Sequence, residues 1–267
     1  KTPKQTEIIG DISSISDIEA ASRGCKYFFH FAAQADINMS GTEARSTIEN
    51  NILGTLNVLE ACSKNNIERF LFASSIYVYS DLGSFYRVSK QACEKMIQEY
   101  QNQYGLDFTI LRYGSLYGPR ANKFNSIFLM LSDAIKKNKI IRKGNGEEIR
   151  EYIHVKDAAS MTVASIADKY KNKSLVITGN QQIKIKDLLK MIQEIMHKNI
   201  KIEFTNEEDF EHYRITPYSY KSESAQRMVP ESFSDLGQGL LDTIYAIEDE
   251  IEENRNIETI SLRSKKK

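Results

Sequence analysis

The sequence predicts an α/β fold in which parallel strands and helices alternate around a doubly wound sheet. Three observations support this class: short apolar runs recur up to Tyr113, amphipathic segments of helical length separate them, and Gly105 marks the end of one such segment. Strand–helix–strand alternation is typical of parallel βαβ units. Because ligands bind such sheets beyond the carboxyl ends of the strands, we look for functional residues there.

Three strands and two helices are predicted up to Tyr113. The strands are the apolar runs at residues 26–31, 70–73 and 108–112. Apolar residues at helical spacing predict a helix over residues 46–65, and these are Ile48, Ile52, Leu56 and Leu59. A second helix is expected over about residues 87–103. Right-handed crossovers would bury the strands on both faces.

Beyond Tyr113 the alternation becomes less regular. We expect a loop over residues 114–120 and a turn at 144–146, where glycines cluster. The predicted helices are 126–137, a segment capped by Asp157 that runs to about 168, and 186–197. The predicted strands are 152–155, 175–178 and 201–204. We expect the acidic run 248–253 on a solvated helix face and the basic residues 265–267 in a disordered tail.

The composition is that of an ordinary globular protein, and it argues against several classes of function. Of 267 residues, 41% are hydrophobic and 27% charged, and Lys plus Arg equal Asp plus Glu at 36 each, so no basic field suggests nucleic acid. No apolar run approaches the roughly 20 residues that span a membrane, and no signal peptide is visible. Cys25, Cys62 and Cys93 follow no metal-binding or disulfide pattern. We therefore expect a cytoplasmic protein without a metal site.

Ser75, Tyr86 and Lys90 form the most informative pattern in the sequence. A free phenol has a pKa of about 10, so too little of it is ionised at neutral pH for it to act as a base. Lys90 lies four residues after Tyr86, on the same face of a helix, where its ammonium can favour the phenolate. Ser75 can hold a substrate hydroxyl and share its proton. The combination suits proton transfer with sugar alcohols and ketones.

The same spacing of tyrosine and lysine also arises by chance on surface helices. What favours a functional site here is the position of Ser75. The run 69–75 is apolar until it ends in small polar residues, as a buried parallel strand does at its carboxyl end. Ser75, Tyr86 and Lys90 are therefore the candidate catalytic residues.

Seven segments occur in an order that resembles the extended short-chain dehydrogenases/reductases. The closest resemblance is to the NAD-dependent nucleotide-sugar epimerase/dehydratase group, with a pattern similar to UDP-glucose 4-epimerases. The segments are GDI at 10–12, HFAAQAD at 30–36, NNILGTLNVLEA at 50–61, FASSIYVYS at 72–80, YRVSK at 86–90, LRYGSLYGPR at 111–120 and REYIHVKDAA at 150–159. They cover most of residues 7–170, and the match is loose from about residue 175 onward.

The resemblance implies a Rossmann-type sheet that binds NAD. The residues at matching positions are Asp11 and Ile12 at the adenine end, Phe31, Ala32 and Ala33 along the ribose and pyrophosphate, Asn51 bracing the surrounding turns, Ala73, Tyr86 and Lys90 near the nicotinamide ribose, and Tyr113 beside the nicotinamide. Small residues suit such positions because the backbone must approach the cofactor closely.

The resemblance also implies a nucleotide-diphosphate sugar as substrate. Arg150 would bind a phosphate, for which an arginine fork is well suited. The alternative for Arg150 is a surface ion pair with Glu147 or Glu148. Ser75, Ser115 and Asn125 are further candidates for substrate binding. His30 and His154 resemble family strand positions, where we expect core packing.

One departure from the family pattern concerns the cofactor site. The family opens with a strand, a Gly-x-x-Gly-x-x-Gly turn and a helix that cradle the pyrophosphate, whereas this sequence begins where the third strand is expected. Either the sequence is a fragment of a longer chain, or the protein lacks this half of the site. We expect the first, because a sheet without its central strand would leave residues 28–31 unburied, at roughly 1.5–3 kcal/mol per large apolar side chain.

Other departures concern the substrate and the reaction. Only ten residues separate Ser75 from Tyr86, and this shortened loop is expected to reshape the sugar pocket. Ser115 stands where related epimerases often carry Asn, and Ala35 where some carry Lys. Family 4,6-dehydratases carry Asp-Glu at the positions of Ile76 and Tyr77, and related decarboxylases carry Glu at the second. Neither residue here exchanges protons as a carboxylic acid does, which disfavours dehydration and decarboxylation.

We therefore predict an NAD-dependent epimerase that inverts C4 of a UDP-hexose through a transient 4-keto sugar. Two alternatives remain open: a nucleotide-sugar 4-ketoreductase that consumes NAD(P)H, and a non-catalytic binding protein that keeps the fold. On family grounds we expect a homodimer formed by the helices at 46–65 and 87–103. The predicted domains are an NAD-binding core over 1–115 and 149–170, a nucleotide-sugar-binding region over 116–148 and 171–255, and a disordered tail over 256–267.

Overall fold

The structure, a computed structural model, describes residues 5–197, 199–205, 214–215, 226–228, 232 and 234–264. It divides into two compact units. Unit 1 comprises Lys1–Tyr113, Met161–Ile177 and Phe210–Met228, and unit 2 comprises Gly114–Ser160, Thr178–Asp209 and Val229–Lys267. The strands are β1 (Tyr27–His30), β2 (Arg69–Ser75), β3 (Phe108–Tyr113), β4 (Ser115–Tyr117), β5 (Lys139–Lys143), β6 (Ile149–His154), β7 (Lys173–Ile177), β8 (Gln182–Lys184), β9 (Lys201–Thr205) and β10 (Gln226–Arg227).

The α-helices follow the predicted alternation with strands through most of the chain. They are α1 (Ile15–Ser22), α2 (Ile37–Thr42), α3 (Ala44–Ile48), α4 (Gly54–Lys64), α5 (Ser84–Tyr104), α6 (Ser126–Lys137), α7 (Val155–Ala164), α8 (Ile185–Met196) and α9 (Leu236–Ser264). Short α1 and α2 were not predicted. A 3₁₀ turn at Ile76–Tyr79 follows β2.

Unit 1 is built on a five-stranded parallel sheet in the order β1-β2-β3-β7-β10. The register places Phe70 opposite Phe108 and Ser75 opposite Tyr113, so β2 and β3 end at the same edge. Consecutive parallel strands need crossover helices, and the segments between β1, β2 and β3 supply them. The predicted parallel α/β fold is confirmed.

The helix predicted over 46–65 contains a π-helical turn. Residues Glu49–Leu53 form this turn between α3 and α4. Single π-turns inside α-helices are frequent at functional sites. The turn contains Asn51, whose side chain is buried.

The core of unit 1 lies between the sheet and its helices. Its largest members come from β2 and β3, which are buried almost throughout, and from the inner face of α4. The fully buried side chains include Val58, Leu59, Phe70, Phe72 and Ile110. Burying side chains of this kind contributes roughly 1.5–3 kcal/mol each, which stabilises strand β2, at whose carboxyl end the candidate site lies.

Unit 2 has two small sheets of its own. Strand β6 pairs in parallel with β4 and antiparallel with β8, and β5 pairs in parallel with β9. The loop expected over 114–120 is wrong in part, because Ser115–Tyr117 is a strand held by β6. Strands β5 and β8 were also not predicted. A separate core joins α6, α8 and α9, with Leu131, Leu189 and Leu240 fully buried.

The unit boundaries differ from the predicted domains at residues 114–115, 149–160, 171–177 and 210–228. Residues 149–160 belong to unit 2, because β6 pairs with β4 and β8. Residues 171–177 belong to unit 1, because β7 pairs with β3. Helix α9 extends through Ser264, into the predicted disordered tail over 256–267, and residues 265–267 lie outside the described residues.

No helix in the described part of the chain is both long enough and apolar enough to cross a membrane.

Candidate active site

Ser75, Tyr86 and Lys90 come together at the carboxyl end of β2. Ser75 ends this strand and caps the 3₁₀ turn, with its Oγ accepting a hydrogen bond of 3.3 Å from the Tyr77 amide. The Tyr86 phenol, on the first turn of α5, lies close enough to the Ser75 side chain for hydrogen bonding between them to lower the pKa of Tyr86. Lys90 lies one turn further along the helix, with its Nζ 5.8 Å from the centre of the Tyr86 ring.

The Tyr86 hydroxyl lies in a desolvated environment although the whole side chain is only half-buried. Burial raises the pKa of Tyr86 above its ordinary value, and the hydrogen bond from Ser75 acts in the opposite direction. The sequence led us to expect that Lys90 would lower this pKa. In the structure Ser75 supplies the group that favours the phenolate, and burial outweighs it.

Lys90 is anchored by the backbone of the strand rather than by the Tyr86 oxygen. Its Nζ donates a hydrogen bond of 2.7 Å to the carbonyl of Ala73 and lies 4.7 Å from the centre of the Phe72 ring. Burial lowers the pKa of Lys90 to about 8, and neighbouring Cys93 and Glu94 act in the opposite direction. The ammonium therefore remains the main form of Lys90 at neutral pH.

Asn51 clamps the loop that follows β1. Its Oδ1 accepts a hydrogen bond of 2.7 Å from the Gln34 amide, and its Nδ2 donates to the Gln34 carbonyl at 3.0 Å. The same Nδ2 donates to the Ser89 Oγ at 2.9 Å, and Ser89 donates to the Tyr86 carbonyl. One buried amide thus connects the loop after β1 with the helix that carries Tyr86.

Three further predicted cofactor residues follow β1 directly. Phe31 is 56% exposed, which is unusual for a phenylalanine, and Ala32 is also exposed, whereas Ala33 is partly buried. The Phe31 ring lies 6.3 Å from the ring of Tyr113. An exposed aromatic ring next to small side chains leaves both an apolar surface and accessible backbone at the edge of the sheet.

Tyr113 ends β3 and is almost fully buried. Its hydroxyl forms a short hydrogen bond with the Thr162 hydroxyl. Burial raises the pKa of Tyr113 to about 12, and the bond to Thr162 acts in the opposite direction. Tyr113 is therefore a neutral, fixed aromatic group at this edge rather than an acid or base.

Asp11 and Ile12 lie in the segment before α1. Asp11 Oδ1 accepts a hydrogen bond of 2.8 Å from the Ser13 amide, which lowers the pKa of this exposed carboxyl. The Ile12 carbonyl accepts a hydrogen bond of 3.0 Å from the Asn57 side chain. An exposed carboxylate is a suitable acceptor for ribose hydroxyls, so the group fits the predicted adenosine contact.

The predicted substrate residues Ser115, Asn125 and Arg150 all belong to unit 2. Both ends of the Asn125 amide are used within the chain, because Oδ1 caps α6 at Phe128 and Nδ2 donates to the Leu116 carbonyl at 2.8 Å. Ser115 is partly buried on β4.

Arg150 is a buried residue on β6, and its Nη1 donates a hydrogen bond of 3.1 Å to the Ile149 carbonyl. The alternative of an ion pair with Glu147 is weakened, because Glu147 is held by Lys184 and Lys186. A buried guanidinium suits a charged ligand better than a surface ion pair does.

The two strand histidines have different surroundings. His30 is buried in unit 1, with its Nε2 3.0 Å from the Thr55 Oγ1, and burial lowers its pKa to about 3. His154 is buried in unit 2 against Tyr117, at 5.2 Å between ring centres. Within the described residues, no cluster of His, Cys, Asp and Glu side chains could hold a metal ion.

Sequence reasoning missed a charged cluster beside the candidate catalytic residues. Glu94, on α5, pairs with Arg112 of β3, and both side chains are buried. Ser74 and Tyr79 bond the same pair. Two signals were available: Glu94 follows Lys90 by four residues, and Arg112 interrupts an apolar strand.

Comparisons with known proteins show the family and the fold of the chain. A sequence profile described as the NAD dependent epimerase/dehydratase family matches residues 2–178. The chain is 27% identical over 190 residues to a UDP-glucuronate 4-epimerase of Thermodesulfobacterium geofontis, an alignment that covers 66% of this chain and 59% of that protein. It is 25% identical over 168 residues to a dTDP-glucose 4,6-dehydratase of Streptomyces antibioticus, which covers 58% of this chain and 50% of that protein.

The chain thus spans between half and three-fifths of the length of these curated relatives. The fold is similar to that of UDP-glucose 4-epimerase from Thermotoga maritima, crystallised with UDP-glucose. That match has a TM-score of 0.79 and 21% identity, and covers 91% of this chain and 84% of the other. At this level of identity the likeness shows the fold.

Proposed function

Because this chain belongs to the NAD-dependent epimerase/dehydratase family, we propose that it epimerises a nucleotide sugar. The reaction we propose inverts C4 of a UDP-hexose through a transient 4-keto sugar. The observation that carries the proposal is the convergence of the three side chains where β2 ends at Ser75, with the Lys90 Nζ 5.8 Å from the centre of the Tyr86 ring and the Ser75 side chain favouring the Tyr86 phenolate. A phenol, an alcohol and an ammonium at one strand end are the groups required for reversible oxidation of a secondary alcohol.

The residues at the edge of the unit 1 sheet fit NAD. Exposed Phe31 and Ala32 supply an apolar surface and accessible backbone, and the Asn51 clamp fixes the loop beneath them. Asp11 would hold the adenosine ribose, and Lys90 the ribose nearest the reacting carbon. When bound, NAD accepts a hydride from the sugar carbon and returns it to the opposite face.

The protein side chains then manage the proton. In our proposal Tyr86 takes the proton of the sugar hydroxyl and returns it at the same oxygen, and Ser75 holds that oxygen by a hydrogen bond. Ionisation of Tyr86 is opposed by burial, so the Ser75 hydrogen bond and the nearby Lys90 charge must support it. Lys90 stays charged at neutral pH and is held in place by the Ala73 carbonyl.

Epimerisation is preferred to dehydration because of the residue beside Tyr86. Loss of water from C5 and C6 needs a second acid or base, and family dehydratases use a carboxylate next to the strand-end serine or threonine. Here Tyr77 lies near Tyr86, with ring centres 6.4 Å apart in an edge-to-face arrangement. Tyr77 would limit the reaction to removal and return of hydride and proton.

Arg150 in unit 2 is the residue we propose for the substrate diphosphate. Its side chain is buried, and a guanidinium can donate two parallel hydrogen bonds to phosphate oxygens. Ser115 would add a hydroxyl donor. For Asn125, the two hydrogen bonds within the chain support a positioning role at the start of α6.

The test is turnover of nucleotide sugars by the full chain supplied with NAD. UDP-glucose, UDP-N-acetylglucosamine and UDP-glucuronate are incubated separately, and the sugar configuration at C4 is read by proton NMR. We expect formation of one C4 epimer with no net change in absorbance at the NADH wavelength. Incorporation of solvent deuterium at C4 should be absent, because the hydride returns from the cofactor.

The same assay separates the alternatives. Stoichiometric consumption of NADH or NADPH with a 4-keto sugar would show a ketoreductase instead. If NAD binds without turnover of any of the three substrates, the substrate assignment is wrong, whereas failure to bind NAD in a calorimetric titration would support a non-catalytic binding protein.

A further inference from the structure

The buried cluster around Glu94 joins four structural elements by short hydrogen bonds. Arg112 donates from Nε to Glu94 Oε1 at 2.9 Å and from Nη2 to Oε2 at 2.6 Å. Ser74 Oγ donates to Glu94 Oε1 at 2.6 Å. Arg112 Nη1 donates to the Tyr79 hydroxyl at 2.6 Å, and the guanidinium carbon lies 4.8 Å from the centre of the Tyr79 ring.

Every member of this cluster lies within four residues of a candidate catalytic or cofactor residue in the chain. Ser74 precedes Ser75, and Tyr79 ends the turn that Ser75 caps. Arg112 precedes Tyr113, and Glu94 lies one helical turn after Lys90. The cluster therefore holds residues on both sides of Ser75, which are Ser74 and Tyr79, and links them to α5, the helix that carries Tyr86.

Stability alone does not explain such a cluster. Removing two charges from water costs several kcal/mol per ion, and apolar side chains of similar volume often replace a buried ion pair without loss of stability. Glu94 is 5% exposed and Arg112 7%, so both charges are desolvated. The ion pair supplies a defined orientation, which apolar packing does not. The planar guanidinium donates two hydrogen bonds to the carboxylate, and these fix both the distance and the angle between the two side chains.

We propose that Glu94 is the positioning residue of this site. Through Arg112, Ser74 and Tyr79 it fixes the end of β2, so that the Ser75 hydroxyl is held beside the Tyr86 phenol. The inference rests on the proposed function for its catalytic meaning, but the geometric statement holds for any reaction at Tyr86.

Glu94 has a second effect through its charge. The titratable groups that face Lys90 are Tyr86, Cys93, Glu94 and His30. Of these, Cys93 and the Glu94 carboxylate raise the pKa of Lys90 against burial, so removal of the Glu94 charge lowers that pKa. A variant without this charge should lose activity at a lower pH than the wild type on the alkaline side of its profile.

The experiment compares the Tyr86 resonance in variants of the full chain labelled with [¹³Cζ]tyrosine. Tyr86→Phe assigns the signal, and Ser75→Ala records its position when the hydrogen bond is lost. In the double variant Glu94→Leu, Arg112→Met we expect the signal to move to the Ser75→Ala position while the melting temperature stays close to that of the wild type. For a substrate that the wild type converts, kcat of the double variant should fall about 100-fold, because a displacement of about 1 Å can cause such a loss. KM should change little.

The control removes an ion pair of similar length from the same unit. Lys64 and Glu19 lie 2.8 Å apart, and Glu19→Leu with Lys64→Met should leave the Tyr86 signal unchanged. A Tyr86 signal at its wild-type position in the folded Glu94, Arg112 double variant overturns the proposal, whether or not a substrate is known. If that variant does not fold, Ser74→Ala decides by the same criterion, since it removes one hydroxyl and leaves the ion pair.

Discussion

At Tyr86, burial and a hydrogen bond act on the same proton in opposite directions. Burial keeps the phenol neutral, and the Ser75 hydroxyl favours the phenolate. To accept the proton of a substrate hydroxyl, Tyr86 must first lose its own proton, and the Ser75 hydroxyl and the Lys90 ammonium support that ionisation against burial. We therefore expect substitution of Tyr86 to reduce turnover most, and substitution of Ser75 to have the next largest effect.

Tyr86→Phe removes the phenol oxygen that, in our proposal, accepts the proton of the sugar hydroxyl and returns it. We expect kcat to fall by about 10²–10⁴, the usual contribution of general acid–base catalysis, while the far-ultraviolet circular dichroism spectrum stays unchanged. Tyr104→Phe is the matched control, because Tyr104 lies on the same helix and is 66% exposed. Near-normal turnover of Tyr86→Phe would rule out the mechanism.

His30 should make the protein less stable in mild acid. Its pKa falls from about 6.5 in the unfolded chain to about 3 in the folded state, because it is buried. Between these values the unfolded state binds more protons, so the free energy of unfolding decreases as pH falls, by up to about 1.4 kcal/mol per pH unit from this group. Urea unfolding at pH 7, 6, 5 and 4 measures the slope.

His30→Gln provides the comparison, since glutamine keeps an amide near Thr55 and does not titrate in this range. The variant should be less stable at pH 7 but show a shallower loss of stability towards pH 4. Equal slopes in the two proteins would mean that His30 is not neutral in the folded state.

Spacing alone predicted the meeting of Ser75, Tyr86 and Lys90, because helical periodicity and a strand end fix where such side chains lie. It did not predict what each one contacts. The bond from Lys90 to the Ala73 carbonyl and the Glu94–Arg112 pair depend on how β2, β3 and α5 pack together. Such contacts are tertiary, and periodicity within one element does not encode them.

At the scale of elements, the π-helical turn at Glu49–Leu53 gives the site its rigidity. It contains Asn51, which lies in contact with both Gln34 and Ser89. Because a π-turn lacks the regular bonding of an α-helix, it persists where tertiary contacts support it. The three side-chain hydrogen bonds of Asn51 are such contacts.

Asn51→Ala should weaken both the fold and cofactor binding. Loss of these hydrogen bonds leaves the Gln34 amide and carbonyl without the Asn51 side chain, and we expect a decrease of about 1–3 kcal/mol in the free energy of unfolding. The affinity for NAD should fall with it, since the loop after β1 is released. Denaturant unfolding and calorimetric titration measure the two quantities.

Asn50→Ala is the control for this change. Asn50 precedes Asn51 in the same turn, is exposed, and its side chain contacts only the Ser46 hydroxyl among the bonds that the structure shows for it. It should unfold and bind NAD like the wild type. Equal free energies of unfolding and equal NAD affinities in the two variants would contradict the role that we assign to Asn51.

Elements with a clear apolar pattern were predictable, whereas the short strands β5 and β8 and most of the long helix α9 were not. Strands β2 and β3 and helices α5, α6 and α8 follow from apolar runs and helical spacing. Strand β5 has only two apolar residues between charged ones, and its partner β9 lies about sixty residues further along the chain, with Lys139 opposite Lys201. Strand β5 is stabilised by its pairing with β9, and the sequence pattern within β5 alone does not reveal that pairing.

At the scale of the whole molecule, each unit has its own hydrophobic core and its own sheets. The candidate catalytic residues and the cofactor edge belong to unit 1, and the proposed diphosphate residue Arg150 belongs to unit 2. The chain crosses between the units several times. This division of tasks agrees with the proposed use of a cofactor and a separate substrate.

We propose a homodimer formed through the helices α4 and α5 and the turn before α4. Leu53 is 51% exposed and Val88 is 40% exposed, and apolar side chains on two neighbouring helices suit an interface. Leu53→Lys with Val88→Lys should convert a dimer into a monomer, as light scattering coupled to size-exclusion chromatography would show.

Val163→Lys places the same charge on another exposed apolar position, since Val163 of α7 is 65% exposed. It should leave the mass unchanged. A wild-type protein that elutes as a monomer at all concentrations would contradict the dimer.

The π-helical turn also restricts how this gene can change in length. Each residue of an α-helix advances the chain by about 100° around the axis. Deleting one codon between Asn51 and Val58 would therefore rotate one end of this segment against the other, and either Asn51 would leave Gln34 or Val58 and Cys62 would turn away from the core. We expect this segment to tolerate substitutions but not insertions or deletions. Alignments of related sequences should therefore contain no gaps here, even where sequence identity is low.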